Sequence, residues 1–147
     1  MIQVFTDGGA RGNPGPAAVG VYIETDKNEQ LYGLGKPIGV ATNNVAEYKA
    51  VIEALLWLSV KSETVRIHEG IIFSMDSLLI YSQIKGLYKI KNNTLQGLLR
   101  EVHQLESRIH IPIFYQHIPR EQNTKADMYV NQALDRKAIV SYNGRSI

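Results

Sequence analysis

Two hydrophobic periodicities follow one another along this chain, and together they restrict its fold more than any other feature. In the first 38 residues, apolar side chains alternate with a period of two, which indicates β-strands. From Asn44 onward they recur at intervals of three and four, which indicates helices. Strands are predicted at 2–6, 19–25 and 30–38, with a Gly- and Pro-rich turn at 8–16 between the first two. We therefore expect an antiparallel meander of three strands before the first helix.

The remainder of the chain alternates helices with short strands. The predicted elements are a helix from 44 to 58, a strand at 71–73 that ends near Asp76, a helix to about 85, a helix at 94–106, a strand at 111–116 and a helix at 121–134. This order predicts an α/β fold with a five-stranded mixed sheet. Its first three strands are expected to be antiparallel, with helices packed on both faces and a functional site at the ends of the first and fourth strands.

Length and composition are those of one globular domain. The chain has 147 residues, of which 44% are hydrophobic and 20% are charged. Such values argue against a disordered, collagen-like or coiled-coil protein. We expect a domain over residues 1–136 and a C-terminal tail over 137–147, where the periodicity is weak.

Charge and cysteine content limit the possible partners. The sequence contains no cysteine, so any metal must be bound by oxygen or imidazole ligands. No uninterrupted apolar span of about 20 residues and no leader-like segment at residue 1 are present, so we expect a cytoplasmic monomer without a membrane partner. The formal net charge of +2 permits a polyanionic partner but does not require one.

Four carboxylates occupy positions where an ionised group is costly unless it is paired or binds a metal. Asp7 ends the first predicted strand, and Asp76 ends the fourth. Glu47 and Asp127 fall on the apolar stripes of their helices, so both are predicted to point toward the core. These four residues are the candidate metal ligands of the chain.

Each carboxylate taken alone also has an ordinary structural explanation. Asp7 precedes two glycines and fits an Asx turn, whereas Asp76-Ser77 fits a cap for the following helix. Glu47 fits a capping box with Asn44, and Asp127 fits the charge preference of a helix N-terminus. Taken singly, the residues leave these alternatives open.

Four segments around the carboxylates resemble the motifs of type 1 ribonucleases H. They are TDGGARGNPGP at 6–16, TNNVAE at 42–47, MDS at 75–77 and HIPREQNTKAD at 117–127. The resemblance covers roughly residues 1–135. It implies a ribonuclease H-like fold and an endoribonuclease, a phosphodiester hydrolase that cuts the RNA strand of RNA–DNA hybrids and leaves 5′-phosphate and 3′-hydroxyl ends.

Carried over by position, the resemblance makes Asp7, Glu47, Asp76 and Asp127 the ligands of two divalent ions, Mg²⁺ or Mn²⁺. It implies that Asp7 bridges both ions, that Asp127 shares the ion beside the attacking water, and that Glu47 and Asp76 share the ion beside the leaving oxygen. The residue types agree, because hard cations prefer oxygen ligands. His117 corresponds to a loop histidine that assists proton transfer or product release, the alternative being an ordinary surface histidine.

The same resemblance implies contacts with both strands of a hybrid. A groove that senses the RNA 2′-hydroxyl would be formed by Gly9, Asn13, Asn43 and Asn44. Phosphates of the DNA strand would be contacted by Thr42 and Asn92. The sequence around Asn13 is also good turn chemistry in its own right.

A short basic segment follows the third predicted carboxylate. Its residues are Lys85, Tyr88, Lys89 and Lys91. They fit contact with a DNA backbone, or else a solvated loop. Because 86–95 leaves room only for a short loop, we expect a compact family member without the long basic protrusion. We also expect no separate hybrid-binding domain ahead of Met1. An extended loop is expected at 61–70, and Leu78 stands where the family often has Gln.

Two other functions are alternatives to a hybrid-specific nuclease. A catalytically silent nucleic-acid-binding module of the same fold is disfavoured by the four carboxylates, which folding alone does not require. A DNA recombination-type nuclease is disfavoured by the groove residues Gly9, Asn43 and Asn44.

Overall fold

The computed structural model describes residues 1–65 and 67–144. Within these residues, six strands form one mixed sheet in the order β5-β4-β1-β2-β3-β6. The strands are β1 (Ile2–Ala10), β2 (Gly15–Glu24), β3 (Gln30–Ala41), β4 (Ile71–Met75), β5 (Ile113–His117) and β6 (Val140–Asn143). The pairs β1–β2, β2–β3 and β3–β6 are antiparallel, while β1–β4 and β4–β5 are parallel.

Helices cover both faces of the sheet. They are α1 (Asn43–Val60), α2 (Ser62–Val65), α3 (Leu78–Ile84), α4 (Asn93–Glu106) and α5 (Thr124–Arg136), with a 3₁₀ turn at Arg120–Gln122. α1 packs on β1 and β2 over the main hydrophobic core, with α4 outside it. α5 packs on β2 and β3 around a smaller apolar cluster. None of the described helices has the length and apolar character needed to cross a membrane.

The α/β class, the mixed sheet and the antiparallel first three strands are confirmed, but the predicted number of five strands is wrong. Val140–Asn143, inside the segment expected to be a tail, pairs with β3 as a sixth strand. This edge strand has four residues and is mostly exposed, so it carries too little alternation to be recognised. Residues 145–147 of the predicted tail lie outside the described residues.

The first hairpin is longer than the sequence indicated. β1 continues through Gly8 and Gly9, where a turn was predicted, and pairs with β2 as far as Ala10↔Ala17. A Cβ atom placed on Gly8 would lie 2.2 Å from the main-chain carbon of Ala46. The glycine therefore allows the first turns of α1 to rest directly on the strand.

Other boundaries differ by smaller amounts. The extended loop expected at 61–70 contains α2 at Ser62–Val65, and Arg66 in that loop lies outside the described residues. α1 begins one residue before Asn44, with Thr42 as its cap, because the Thr42 Oγ1 accepts a hydrogen bond from the Val45 amide at 3.2 Å. The first difference is a helix of only four residues and the second lies at a helix end, and periodicity carries little information in either place.

We predict that Gly20→Ala destabilises the protein by about 1 to 3 kcal/mol. A Cβ atom at Gly20 would lie 2.1 Å from the main-chain oxygen of Ala126, so α5 has to move away from β2. Urea unfolding measures the change. The matched control is Gly97→Ala in α4, where the new methyl group meets only the Arg100 guanidinium at 3.7 Å and stability should rise by about 0.5 to 1 kcal/mol. Equal effects of the two substitutions would contradict the packing argument.

Candidate active site

Three carboxylates meet at one end of the central strands. Asp7 lies in β1, Asp76 directly follows the neighbouring parallel strand β4, and Glu47 lies in the first turns of α1. One carboxylate oxygen from each residue lies within 4.8 Å of the others. The parallel pairing of β1 with β4 brings two of the acids together, and the packing of α1 on β1 at Gly8 adds the third.

Asp127 borders the same pocket from α5. The pocket has a volume of ≈ 380 Å³, and Asp7, Glu47, Asp76 and Asp127 all line it. The Asn131 side-chain amide donates to Asp127 Oδ2 at 3.2 Å and to the Asp127 main-chain oxygen at 3.1 Å. The pocket thus contains all four predicted carboxylates.

The predicted direction of Glu47 is confirmed and that of Asp127 is wrong. Glu47 is only 8% exposed, whereas Asp127 is exposed. The buried residues of α5 are Ala126, Tyr129, Val130 and Ala133. Asp127 borders this stripe rather than belonging to it, so its side chain reaches the pocket over the helix edge.

The ordinary structural explanations for Asp7 and Glu47 do not hold in the structure, and the one for Asp76-Ser77 holds only through Ser77. Asp7 lies inside a strand, paired with Gly20, and not in an Asx turn. Thr42 rather than Asn44 caps α1, which removes the proposed capping box with Glu47. Ser77 rather than Asp76 caps α3, because the Ser77 hydroxyl accepts from the Ile80 amide at 3.2 Å.

Burial and mutual repulsion make this cluster electrostatically unfavourable. Burial, followed by the charge of Asp76 and that of Asp127, raises the pKa of Asp7 to about 7, although a hydrogen bond with Glu47 opposes the shift. Burial and then the charges of Asp7 and Asp76 raise the pKa of Glu47 well above its usual range. No Lys or Arg of the described chain forms an ion pair with Asp7, Glu47 or Asp76.

The donor set fits a hard divalent cation. All three clustered ligand groups are carboxylates, and their oxygens are close enough to share an ion. A cation bound there would supply the positive charge that the surrounding protein does not provide. The residues could therefore hold Mg²⁺ or Mn²⁺, as their chemical type suggested.

His117 lies beside the carboxylate cluster but outside it. It ends β5, opposite Met75 of β4, and its side chain is exposed. Its Nε2 atom lies 3.2 Å from the Asp76 main-chain oxygen, and its ring lies 6.2 Å from that of Tyr81. Because a carbonyl oxygen only accepts, this contact requires the proton on Nε2.

The predicted groove residues form a connected rim. Asn13 Oδ1 accepts from the Asn43 amide at 2.9 Å, and Asn43 Oδ1 accepts from the Ala10 amide at 2.8 Å. Gly9, Asn43 and Asn44 line the pocket, while Asn13 reaches it only through Asn43. The turn between β1 and β2 is thereby tied to the start of α1.

The remaining predicted substrate residues lie away from the carboxylates. Thr42 caps α1, and Asn92 caps α4, because Asn92 Oδ1 accepts from the Leu95 amide at 3.0 Å. Lys89 and Lys91 are exposed in the loop between α3 and α4. Their roles in binding stay predictions.

Asn123, which the sequence did not single out, is fully buried beside the carboxylates. Its Nδ2 donates to the Thr6 main-chain oxygen at 2.9 Å and to Asp76 Oδ2 at 3.2 Å. It precedes α5 as an N-cap, yet its side chain makes no capping hydrogen bond. An Asn just before a helix is ordinary in sequence, so only the structure reveals its other role.

Comparisons with known proteins match most of the chain, and they agree on one group of proteins. The family model described as "Reverse transcriptase-like" matches residues 5–133. The structure of LC11-RNase H1, isolated from compost by a metagenomic approach, is 42% identical, covers 93% of this chain and 97% of that chain, and superposes with a TM-score of 0.87. A structure of LC11-RNase H1 in complex with an RNA/DNA hybrid also gives a TM-score of 0.87, at 40% identity over 93% of this chain and 99% of that one.

Two further relatives are similar over nearly the same length. RNase H1 from the halophilic archaeon Halobacterium salinarum is 32% identical over 92% of this chain and 98% of that chain, with a TM-score of 0.84. A bifunctional protein of Mycobacterium tuberculosis is 37% identical over 140 residues, which are 93% of this chain. The chain spans only 36% of the length of that mycobacterial protein.

We predict that Asp7→Asn stabilises the metal-free protein at pH 7 by about 2 to 4 kcal/mol. Because burial raises the pKa of Asp7 from 3.8 to about 7, the folded protein holds more protons than the unfolded chain between these values. The contribution of Asp7 to the stability of the metal-free protein should therefore be most favourable below pH 3.8 and should fall as the pH rises to 7.

Urea unfolding in a chelator at pH 4 and pH 7 measures this effect, with the exposed Asp26→Asn as the matched control. The gain from Asp7→Asn should appear at pH 7 and largely vanish at pH 4. An Asp7→Asn protein that is no more stable than the wild type at pH 7 would contradict the repulsion argument.

Proposed function

The chain belongs to the type 1 ribonuclease H family, and we propose that it is an endonuclease that hydrolyses the RNA strand of RNA–DNA hybrids. The observation that carries this proposal is the meeting of Asp7, Glu47 and Asp76 beside Asp127 in one open pocket. The expected products are 5′-phosphate and 3′-hydroxyl ends. We assign the activity to a domain over residues 1–136.

We further propose that these four carboxylates hold two divalent ions, Mg²⁺ or Mn²⁺. When bound, such ions supply the positive charge that stabilises an in-line displacement at phosphorus. We take Asp7 as the central residue of the site, since Glu47, Asp76 and Asp127 all contribute to its electrostatic environment, whereas Asp7 and Asp76 contribute to that of Glu47. Glu47 is fixed by burial, while Asp127 is exposed and held by Asn131.

His117 is proposed to move protons at the edge of this pocket. Its contact with the Asp76 main-chain oxygen orients the ring and occupies Nε2. The other ring nitrogen, Nδ1, can then accept a proton from water or return one. Because the side chain is exposed, this exchange needs no opening of the protein.

Recognition of the RNA strand is assigned to Gly9, Asn13, Asn43 and Asn44. The side-chain oxygens of Asn13 and Asn43 already accept main-chain hydrogen bonds, so their amide N–H groups are what remains to offer a substrate. A 2′-hydroxyl can accept such a bond, and only the RNA strand carries one. Gly9 lines the pocket without a side chain and leaves room for the strand.

Contact with the DNA strand is assigned to Thr42, Asn92, Lys89 and Lys91. Thr42 and Asn92 each stand at a helix N-terminus, where main-chain N–H groups favour a phosphate. The two lysines are exposed and precede α4 by only a few residues. They add positive charge beside the Asn92 helix end, which suits a phosphate backbone.

We predict metal-dependent cutting of the RNA strand in a labelled hybrid, and a loss of rate of at least roughly 100-fold in Asp7→Asn, equivalent to about 3 kcal/mol of transition-state stabilisation. Asp26→Asn is the control, because it makes the same chemical change at an exposed turn. It should cut at the wild-type rate.

Single strands, duplex DNA and duplex RNA are tested beside the hybrid. Binding of the hybrid without cutting would favour a silent binding module. Cutting of duplex DNA would favour a recombination-type nuclease, and either result would overturn the proposal.

We predict that Lys89→Ala/Lys91→Ala weakens hybrid binding and makes the slope of log affinity against log salt shallower by about 1 to 2. Fluorescence anisotropy in a non-cleaving Ca²⁺ buffer measures both quantities. The control is Lys27→Ala/Lys61→Ala, because Lys27 and Lys61 lie in a turn and at a helix end away from the pocket. An unchanged salt slope in the test pair would remove the two lysines from the interface.

A further inference from the structure

We propose that Asn123 is a positioning residue that sets the places of Asp76 and Asp127 for cation binding. This inference rests on the proposed function, because it concerns ions held by the same pocket. It is carried by the hydrogen bonds and burial of Asn123, which neither the sequence motifs nor the groove contacts explain.

The side-chain amide of Asn123 makes the first set of contacts. Asn123 is 0% exposed, and its Nδ2 group donates at 2.9 Å to the main-chain oxygen of Thr6 and at 3.2 Å to Asp76 Oδ2. Thr6 directly precedes Asp7 in β1. The amide therefore connects the strand that carries one ligand to a carboxylate oxygen of another.

The orientation of this amide is fixed by its surroundings. If the amide were flipped, Oδ1 would face the Thr6 carbonyl oxygen and the Asp76 carboxylate, both of which only accept hydrogen bonds. In the observed orientation, Oδ1 is buried and has no partner among the described residues. Leaving a buried acceptor unsatisfied is costly, and no capping bond compensates for it. We attribute this orientation of the amide to the hydrogen bond that Nδ2 donates to Asp76 Oδ2.

The main chain of Asn123 makes a second contact, with the first turn of α5. The Asn123 carbonyl oxygen accepts from the Asp127 amide at 3.2 Å, so Asn123 also begins the turn of α5 that carries Asp127. Two residues later, Lys125 Nζ lies 3.1 Å from the Tyr22 hydroxyl, which fixes the helix start against β2. One buried residue thus joins β1, Asp76 and the first turn of α5.

Groups that hold metal ligands in place commonly change metal affinity by ten- to a hundredfold when they are removed. We therefore expect Asn123→Ala to raise the dissociation constant for Mn²⁺ by roughly tenfold or more. Isothermal titration calorimetry with Mn²⁺ alone measures this directly, without nucleic acid and without turnover.

Two comparisons separate positioning from loss of stability. Val102→Ala removes buried volume from α4, which contributes no residue to the pocket, and should leave the Mn²⁺ affinity unchanged. In an Asp76→Asn background, adding Asn123→Ala should lower the affinity much less than it does in the wild type, because the oxygen that Asn123 holds is no longer part of a carboxylate.

A third measurement uses the wild-type residue itself and stays valid if Asn123→Ala fails to fold. In ¹H–¹⁵N NMR spectra, the two Nδ2 protons of Asn123 should exchange slowly with solvent, and their signals should shift on Mg²⁺ addition and in Asp76→Asn. Signals that exchange fast and ignore both changes would overturn the proposal.

The outcomes are distinct from those of the cleavage assay. A wild-type protein that cuts hybrids, combined with an Asn123→Ala protein that binds Mn²⁺ as tightly as the wild type, would overturn the positioning role and leave the proposed function standing. Weaker Mn²⁺ binding in Asn123→Ala together with a wild-type protein that cuts no hybrid would support the positioning role and overturn the proposed function. An equal loss of affinity in the wild-type and Asp76→Asn backgrounds would overturn the positioning role.

Discussion

Repulsion among the carboxylates of β1, α1 and the end of β4 is the constraint that the rest of the structure has to accommodate. The oxygens of Asp7, Glu47 and Asp76 lie within 4.8 Å of one another, and two of the three side chains are buried. Such a cluster opposes folding unless protons or cations neutralise it. The opposing free energy comes from the core beneath α1, where Tyr48 and Phe73 are fully buried. The fold therefore tolerates the site rather than being stabilised by it.

Close packing of helices on the sheet determines where the acids stand. The absence of a side chain at Gly8 lets α1 rest on β1, which brings Glu47 to Asp7. The absence of one at Gly20 lets α5 approach β2 on the other face, which brings Asp127 to the same pocket. A shift of either helix by the width of a methyl group would move the carboxylate on that helix away from Asp7 on the sheet. The packing of the helices on the sheet therefore also sets the distances between these carboxylates.

The sequence predicted those parts of the structure that depend on long periodic patterns or on motif spacing. It predicted the meander, the mixed sheet, the long helix at α1 and the four acids that share a pocket. It could not predict β6, because four mostly exposed edge residues carry no pattern. Periodicity also misjudged Asp127, which lies at the border of its stripe. Asn123 was invisible for a different reason, since its partners Thr6 and Asp76 are 117 and 47 residues away in sequence.

The arrangement of basic side chains leaves the clustered acids without an internal counter-charge among the described residues. Arg11 lines the pocket, yet Asp135 holds its guanidinium at 2.6 Å. Lys125 is two residues from Asp127, but its ammonium group lies over the Tyr22 ring, 4.5 Å from the ring centroid. Arg120 also lines the pocket but forms no ion pair within the described chain. Under the proposed function, an internal cation paired with the acids would occupy space that the ions and a substrate phosphate need. Because no Lys or Arg of the described residues pairs with Asp7, Glu47 or Asp76, their negative charge is available to a divalent ion.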